Sequence, residues 1–297
     1  MNNISPLYSN KSQEPRSSSL YIVGTPIGNL GDLSIRAINI LKNVSLIACE
    51  DTRQTKKIMS RFEFTNNLTS FNKNNFPKKI PQLIKELKGG KSIALVSDAG
   101  MPGICDPGEN LVKKARSNGF SIICIPGPCA ALTALISSGF PSSKFIFEGF
   151  LPKKKSEREK ILLEISQNVK TTIIFESPNR LKKLLLELKH FCGGDREIEV
   201  SRELTKKFEE HIGSNINMVL ESLDAKEIIG EITIVIKGVE KSKNLDYDKN
   251  NLKKELNELI SAGLSLAAAS KYLSKKRNLS KNIIYKLHST KKERGLK

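Results

Sequence analysis

Leu20-Tyr-Ile-Val-Gly-Thr-Pro-Ile-Gly-Asn-Leu-Gly-Asp32 decides the fold class. A short apolar run stops abruptly in a turn built from glycine and proline, which reads as a strand followed by a loop. Beyond it, Leu33, Ala37, Ile38 and Leu41 fall at helical spacing, with Asp32 the expected N-cap. A strand that is apolar on both faces and feeds a helix is the opening of an α/β layer structure.

Working outward, the pattern recurs. Val44 to Ala48 reads as a strand and Thr52 to Phe62 as a helix. A further helix is expected from Pro81 to Lys88, closing at Gly89-Gly90. Ile93 to Val96 is a strand, Asp106-Pro107 is expected to open a helix that Gly119 ends, and Ile122 to Ile125 is a strand again. Continuously apolar strands alternating with helices indicate a mainly parallel, covered sheet. After Pro126 the style changes. Phe145-Ile-Phe147 and Thr171 to Phe175 remain apolar, whereas Glu197 to Ser201 and Glu231 to Ile236 alternate, as half-exposed or antiparallel strands do. The expected organisation is a loose tail over 1–19, an α/β domain over 20–126 and a second α/β domain with a mixed sheet over 127–240. A polar linker leads to a basic helical module over 245–297. In that module Leu252, Leu256, Leu259 and Ile260 form one stripe. Ser265 caps a helix with Leu266, Ala269, Tyr272 and Leu273 inward, and Ser280 caps a third with Ile283, Ile284 and Leu287. Three short helices with many lysines resemble a helix-turn-helix module; a dimerisation bundle is the alternative.

The 297 residues carry a net charge of +18. The last 53 residues hold 13 basic and 5 acidic side chains, so the excess is concentrated there and points to a polyanion partner. Residues 1–19 lack the apolar core of a signal peptide. The uncharged stretch Ser117 to Ser143 is broken by Pro126, Gly127 and Pro128, so it reads as strand, turn and helix rather than a membrane span. Most of the five cysteines, Cys49, Cys105, Cys124, Cys129 and Cys192, are expected as small core residues, and no spacing suggests a metal site. No membrane contact and a cytoplasmic location are expected.

Gly90-Lys91-Ser92 resembles the end of a P-loop, but Lys85 stands where the first glycine is required. No dinucleotide glycine fingerprint and no nucleophile elbow follows a strand. What remains is a set of small-residue loops, each just after a strand. They are Gly24 to Asp32, Ser97-Asp-Ala-Gly-Met-Pro-Gly-Ile-Cys-Asp-Pro-Gly108, Pro126-Gly-Pro-Cys-Ala-Ala131 and Phe175-Glu-Ser-Pro-Asn-Arg180. Strand ends of one parallel sheet share an edge, and that edge is where ligands bind. Such loops suit a flat ligand, partly polar and partly apolar, held by main chain.

These loops, together with Cys49-Glu-Asp-Thr-Arg53, Glu148-Gly-Phe-Leu-Pro152 and Arg202-Glu-Leu-Thr-Lys-Lys207, resemble the ribosomal RNA small subunit methyltransferase I family of the tetrapyrrole methylase superfamily. The resemblance runs in order from about Leu20 to Gly238, and the helical tail is similar to that family's C-terminal module. Met101 stands where threonine is usual, Asn179 where histidine is usual, and Gly24 where alanine or proline is commoner. The resemblance implies S-adenosyl-L-methionine bound in a cleft between two α/β domains. It also implies 2′-O-methylation of a decoding-centre cytidine in 16S rRNA, with the rRNA or the 30S subunit as partner. Superfamily members are often dimers, so a homodimer is open.

A ribose hydroxyl is a poor nucleophile, so a base near the strand ends is expected. Asp51 or Glu176 is the expected proton acceptor, with Glu50 beside them and Lys206 next in line. Arg53, Arg180 and Lys206 are expected to grip phosphates. For each carboxylate the bland alternative is a helix cap or an ion pair. Pro26, Gly28, Asp98, Gly100, Met101, Ala130, Phe175 and Glu231 are expected around the cofactor. Lys207, Lys271, Lys275, Lys276, Arg277 and Lys281 are expected to meet RNA with Arg180. Two other readings stay open: methylation of a tetrapyrrole or corrinoid precursor, and a non-catalytic RNA-binding assembly protein.

Overall fold

The computed structural model describes residues 14–224, 228–240, 249–277, 284–285 and 287–288. They divide into two compact units, Met1–Val239 and Glu240–Lys297.

The first unit opens with a five-stranded parallel sheet in the order β3-β2-β4-β1-β5. Its strands are β1 (Ser19–Val23), β2 (Leu46–Cys49), β3 (Leu68–Ser70), β4 (Ile93–Val96) and β5 (Ser121–Ile125). Its helices are α1 (Ile35–Asn43), α2 (Thr52–Arg61), α3 (Phe76–Lys88) and α4 (Glu109–Ser117). Alternate strand residues go to opposite cores. Tyr21, Val23, Ala94 and Val96 pack with Ala37, Ile40 and Leu41 of α1, while Leu20, Ile93 and Leu95 pack with α3 and α4. Burial on both faces is why these strands read as unbroken apolar runs.

The second sheet has the order β6-β7-β10-β8-β9. It comprises β6 (Phe145–Phe150), β7 (Thr171–Glu176), β8 (Glu197–Arg202), β9 (Glu210–Asn215) and β10 (Ile232–Ile236). Only β6 and β7 pair in parallel; the other pairings are antiparallel, giving the mixed sheet expected. One face packs on α6 (Lys155–Gln167), α7 (Pro178–Cys192) and α8 (Ile216–Ser222). The other meets α5 (Ala130–Ser137), where Ala131, Ala134 and Leu135 join Ile173, Val235, Leu204 and Ile27. That cluster ties the first sheet's loops to the second sheet.

In the second unit, α9 (Lys249–Ser261) and α10 (Leu266–Arg277) bury Leu252, Leu256, Ala269 and Leu273, with Ile284 added to the cluster. Ser265 accepts the Ala268 N–H as the expected cap. Tyr272, expected inward, is 52% exposed, because Ala269 and Leu273 hold the inward positions beside it. Of the third helix only Ile284, Tyr285, Leu287 and His288 are described; Ser280 and Ile283 lie outside the described residues. Residues 1–13 of the expected tail do so too. Ser17 and Ser18 are held by the Gly90 carbonyl, and Glu14 pairs with Arg36.

Several expected boundaries move. Ser34, not Asp32, caps α1 by accepting the Ala37 N–H. α3 begins at Phe76 and carries Pro81 inside it, because Phe76 is anchored edge-on to Phe71 and Leu83, Ile84 and Leu87 are buried beyond the proline. α4 is capped by Gly108 rather than Asp106. Only Cys49 is a buried thiol; Cys105 and Cys124 are exposed, the first in a loop and the second on the edge strand β5. No described helix is long and apolar enough to cross a membrane.

Candidate active site

Strands β1, β4 and β5 are parallel neighbours, so the loops that follow them emerge at one edge and clasp each other. Thr25 and Gly100 exchange backbone hydrogen bonds of 2.9 and 3.1 Å, and Thr25 Oγ1 donates to the Ser97 carbonyl at 3.1 Å. Gly24 and Gly127 meet backbone to backbone: a Cβ on Gly24 would lie 2.7 Å from Gly127 Cα. In this chain an added Cβ at either position would collide with the backbone of the other.

Below the clasp is a cleft of about 410 Å³. Ile27, Met101, Ala130, Phe175, Leu204 and Ile232 give it apolar walls, and Glu50, Asp98, Asp106, Glu176 and Glu231 bring five carboxylates to it. Phe175 is fixed edge-on by Phe147 at 5.0 Å and Phe150 at 5.7 Å. Burial raises the Glu50 carboxyl above the usual range, and the neighbouring Asp106 and Asp98 raise it further. Burial raises Asp106 as well. Asp98 accepts the Asp51 N–H at 2.9 Å, which joins the loop after β4 to the end of β2. Glu176 is 2% exposed; its Oε1 accepts from the Ser177 N–H at 2.8 Å and pairs with Arg180 at 2.5 Å. Its Oε2 makes no hydrogen bond and lies 3.6 Å from Arg158. Such a cleft accepts a compact cation with apolar or aromatic bulk. Among the described residues, no group of three or more His, Cys, Asp or Glu is arranged to hold a metal ion.

A profile of the family described as Tetrapyrrole (Corrin/Porphyrin) Methylases matches residues 19–218. The chain belongs to the tetrapyrrole methylase family. Within it the chain groups with ribosomal RNA small subunit methyltransferase I. The Bacillus subtilis (strain 168) protein of that name is 41% identical over 279 residues, covering 92% of this chain and 94% of its own. The Synechocystis one is 39% identical over 268 residues, covering 90% and 96%. Among solved structures, a cobalt precorrin-4 methyltransferase superposes with a TM-score of 0.58 over 74% of this chain and 95% of its own, at 14% identity. The uroporphyrin-III C-methyltransferase of Thermus thermophilus, complexed with S-adenosylhomocysteine, reaches 0.53 over 73% and 96%, at 15% identity. These structures establish the shared tetrapyrrole methylase fold.

In this tetrapyrrole methylase the cleft gathers many of the residues expected from sequence. Glu50, Asp98, Gly100, Met101, Ala130, Phe175, Glu176 and Glu231 line it. Others stand elsewhere. Pro26 is buried beneath the clasp. Gly28 lacks a side chain because the Lys206 stem crosses it. Asp51 caps α2 and grips Arg53 at 2.6 Å, which holds its carboxyl below the usual range; the cap and ion-pair alternative is the one realised. Arg53 is exposed while held in that pair. Arg180 backs Glu176, Lys206 pairs with Glu203 and Glu231, and Lys207 lies over the Phe208 ring. Lys271 and Lys276 are exposed on α10, Lys276 reaching Glu255 at 3.5 Å. The side chains of Lys275 and Arg277, and all of Lys281, lie outside the described residues.

Sequence reasoning missed Arg158, which bridges Glu176 and Glu187. It sits in a run rich in lysine and glutamate that reads as a solvated face. Its spacing of four and seven from the buried Leu162 and Ile165 was the available signal. Asp106 was missed as a lining residue because Asp-Pro reads as a cap.

His211 is linked through Glu209 to the Thr205 N–H, next to the lining residue Leu204. His211 Nδ1 lies 3.0 Å from Glu199 and Nε2 2.9 Å from Glu209, and the protonated ring donates to both. Burial pushes its pKa down, but the Glu209 and Glu199 carboxylates outweigh burial and hold it above the usual histidine value. Protonated His211 therefore stabilises the fold fully below the unfolded pKa of about 6.5, and the contribution is lost as pH rises through the raised folded value. An NMR titration is expected to place the His211 midpoint above about 6.5, and Glu209→Gln to lower it. An unchanged midpoint in that variant would remove Glu209 as a cause.

Proposed function

We propose that this chain transfers a methyl group from S-adenosyl-L-methionine to the ribose 2′-oxygen of a decoding-centre cytidine in 16S rRNA, with the 30S subunit as partner. The observation that carries the reading is the cleft. S-adenosyl-L-methionine bears a sulfonium and an ammonium against one carboxylate, a net positive charge with an aromatic adenine. The cleft offers apolar walls and five carboxylates, two of them, Glu50 and Asp106, raised chiefly by burial and further by neighbouring carboxylates. The donor set therefore fits the cofactor, which supplies a methyl on a cationic sulfur. Asp98, Gly100, Met101, Ala130, Phe175 and Glu231 would hold it, Phe175 against its flat portion. The printed name of the Bacillus subtilis and Synechocystis relatives supports an rRNA substrate.

Of the expected bases, Glu50 and Glu176 face the cleft and Asp51 does not. We assign proton acceptance to Glu176, a residue lining the cleft whose Oε2 has no hydrogen bond and lies 3.6 Å from Arg158. A positioned base of this kind contributes on the order of 10²–10⁴-fold. Lys206, Lys207 and Arg180 are assigned to phosphate near the cleft, and the basic α10 lysines to a further RNA contact. A second copy of the chain is proposed to cover Leu132 and Ile136 of α5 and Phe145 of β6, which are 45%, 76% and 39% exposed. The proposed substrate places the protein in the cytoplasm.

The test is transfer of labelled methyl to unmodified small subunits. The expected product carries one methyl on ribose, which protects the adjoining linkage from alkaline cleavage. Label found only on a base, or only on a macrocyclic precursor, would overturn the assignment.

A further inference from the structure

The connection between β8 and β9, residues 203–209, forms one rim of the cleft. Leu204 lines the cleft, and Lys206 reaches Glu231, another lining residue, at 3.0 Å. The connection is unusually well held. Glu203 and Thr205 adopt φ of 52° and 67°, a region that residues with a side chain enter only when their surroundings enforce it. Here Glu203 and Glu231 exchange hydrogen bonds of 2.9 Å, Lys206 Nζ donates to Glu203 at 2.9 Å, and the Thr205 N–H donates to Glu209 at 2.6 Å.

On this fixed loop, two residues beyond Lys206, Phe208 is 64% exposed. Lys207 Nζ lies 5.4 Å from the ring centroid and brings positive charge to one face of it. An exposed phenyl ring contributes little to folding, and fixing it on a pinned loop does not bury it. A pinned, solvent-facing ring with an ammonium beside it is the arrangement that stacks an unpaired base while the ammonium meets its phosphate. We propose that Phe208 is a stacking platform for an unstacked nucleobase of the RNA at the mouth of the cleft, with Lys207 meeting the adjoining phosphate. Phe208 then positions the ribose that is methylated; the inference rests on the RNA substrate argued above.

The chain contains no tryptophan, so Phe208→Trp introduces a single fluorescent reporter at the site. Single-stranded RNA oligonucleotides containing cytidine are expected to quench that fluorescence, because a stacked base deactivates an indole. With small subunits as substrate, Phe208→Ala is expected to raise KM by about tenfold or more, with S-adenosyl-L-methionine affinity and melting midpoint unchanged. Phe208→Tyr is expected to restore KM, which a role in fold alone would not require of an exposed position. Fluorescence unmoved by RNA that binds by anisotropy would overturn the platform, as would a Phe208→Ala enzyme with unchanged KM. Quenching in a protein that transfers no methyl to any RNA would keep the platform and remove the methylation reading instead.

Discussion

Gly127→Ala is expected to lower the melting midpoint and to weaken S-adenosyl-L-methionine binding by more than about tenfold, since loop position and cleft geometry move together. The Cβ it adds would lie 2.8 Å from Gly24 Cα, 2.9 Å from Gly24 C and 3.0 Å from Gly24 O. All three are backbone atoms, so no side chain can swing aside. Overpacking of this kind costs about 1–3 kcal/mol, or roughly 2–12 °C for a unit of this size. The loss reaches the cleft because the loop after Gly24 is bonded through Thr25 to Gly100, and Ile27, Asp98 and Gly100 are lining residues. Gly89→Ala is the control. Its added Cβ would meet nothing nearer than 3.4 Å, and its φ of −76° suits alanine. Thermal melting with and without cofactor, together with calorimetry, separates the two. If Gly127→Ala melts and binds like Gly89→Ala, the clasp does not shape the cleft.

The clasp also shows why the first sheet was legible. β1, β2 and β4 are largely buried on both faces, so their positions select for apolar residues and the runs stand out from the sequence alone, whereas the three-residue, half-buried edge strand β3 did not stand out. The glycine and proline loops were legible for a related reason: backbone contacts such as Gly24 on Gly127 admit no side chain, and that constraint is written as glycine. β9 was not legible. It is an edge strand with one partner, and Glu210-His-Ile-Gly-Ser-Asn215 carries a single large apolar residue. The start of α4 was misplaced for a tertiary reason. Asp106-Pro107 has the chemistry of a helix opening, but Gly108 packs 3.1 Å (from its added Cβ) against Gly103 N and 3.2 Å against Leu95, which carries the loop past Asp106 before the helix begins. Asp106 is thereby left in the cleft. Within the site, residues offered by the loops were found, whereas Arg158 stands in a charged run of α6, the helix preceding β7, and only the fold brings it to Glu176.

That arginine carries the other large expected effect. Arg158→Met is expected to destabilise the first unit by about 3 kcal/mol, toward the low end of the range for removing one member of a buried ion pair. The Arg158 side chain is 9% exposed and stands between Glu176, which is fully buried, and Glu187 at 2.6 Å. Its removal strands Glu176 with Arg180 as sole cationic partner, while Glu187, a quarter exposed, turns to water. The remaining Arg180 contact is why the low end applies. At roughly 2–4 °C per kcal/mol, the midpoint should fall by about 6–12 °C. Arg158→Lys should recover little, since a single ammonium cannot serve two carboxylates as a planar guanidinium does. The decisive measurement is the double variant Arg158→Met with Glu176→Gln. Neutralising Glu176 removes the stranded charge, so the double variant should be more stable than Arg158→Met alone, with a coupling of about 1–3 kcal/mol. Turnover should move the other way, because Glu176→Gln also removes the assigned proton acceptor and should slow methyl transfer by roughly tenfold or more. Denaturant titrations at fixed pH and salt read the first quantity, and initial rates at saturating cofactor read the second. Equal stability of the single and double variants would mean that Glu176 does not depend on Arg158 for its burial.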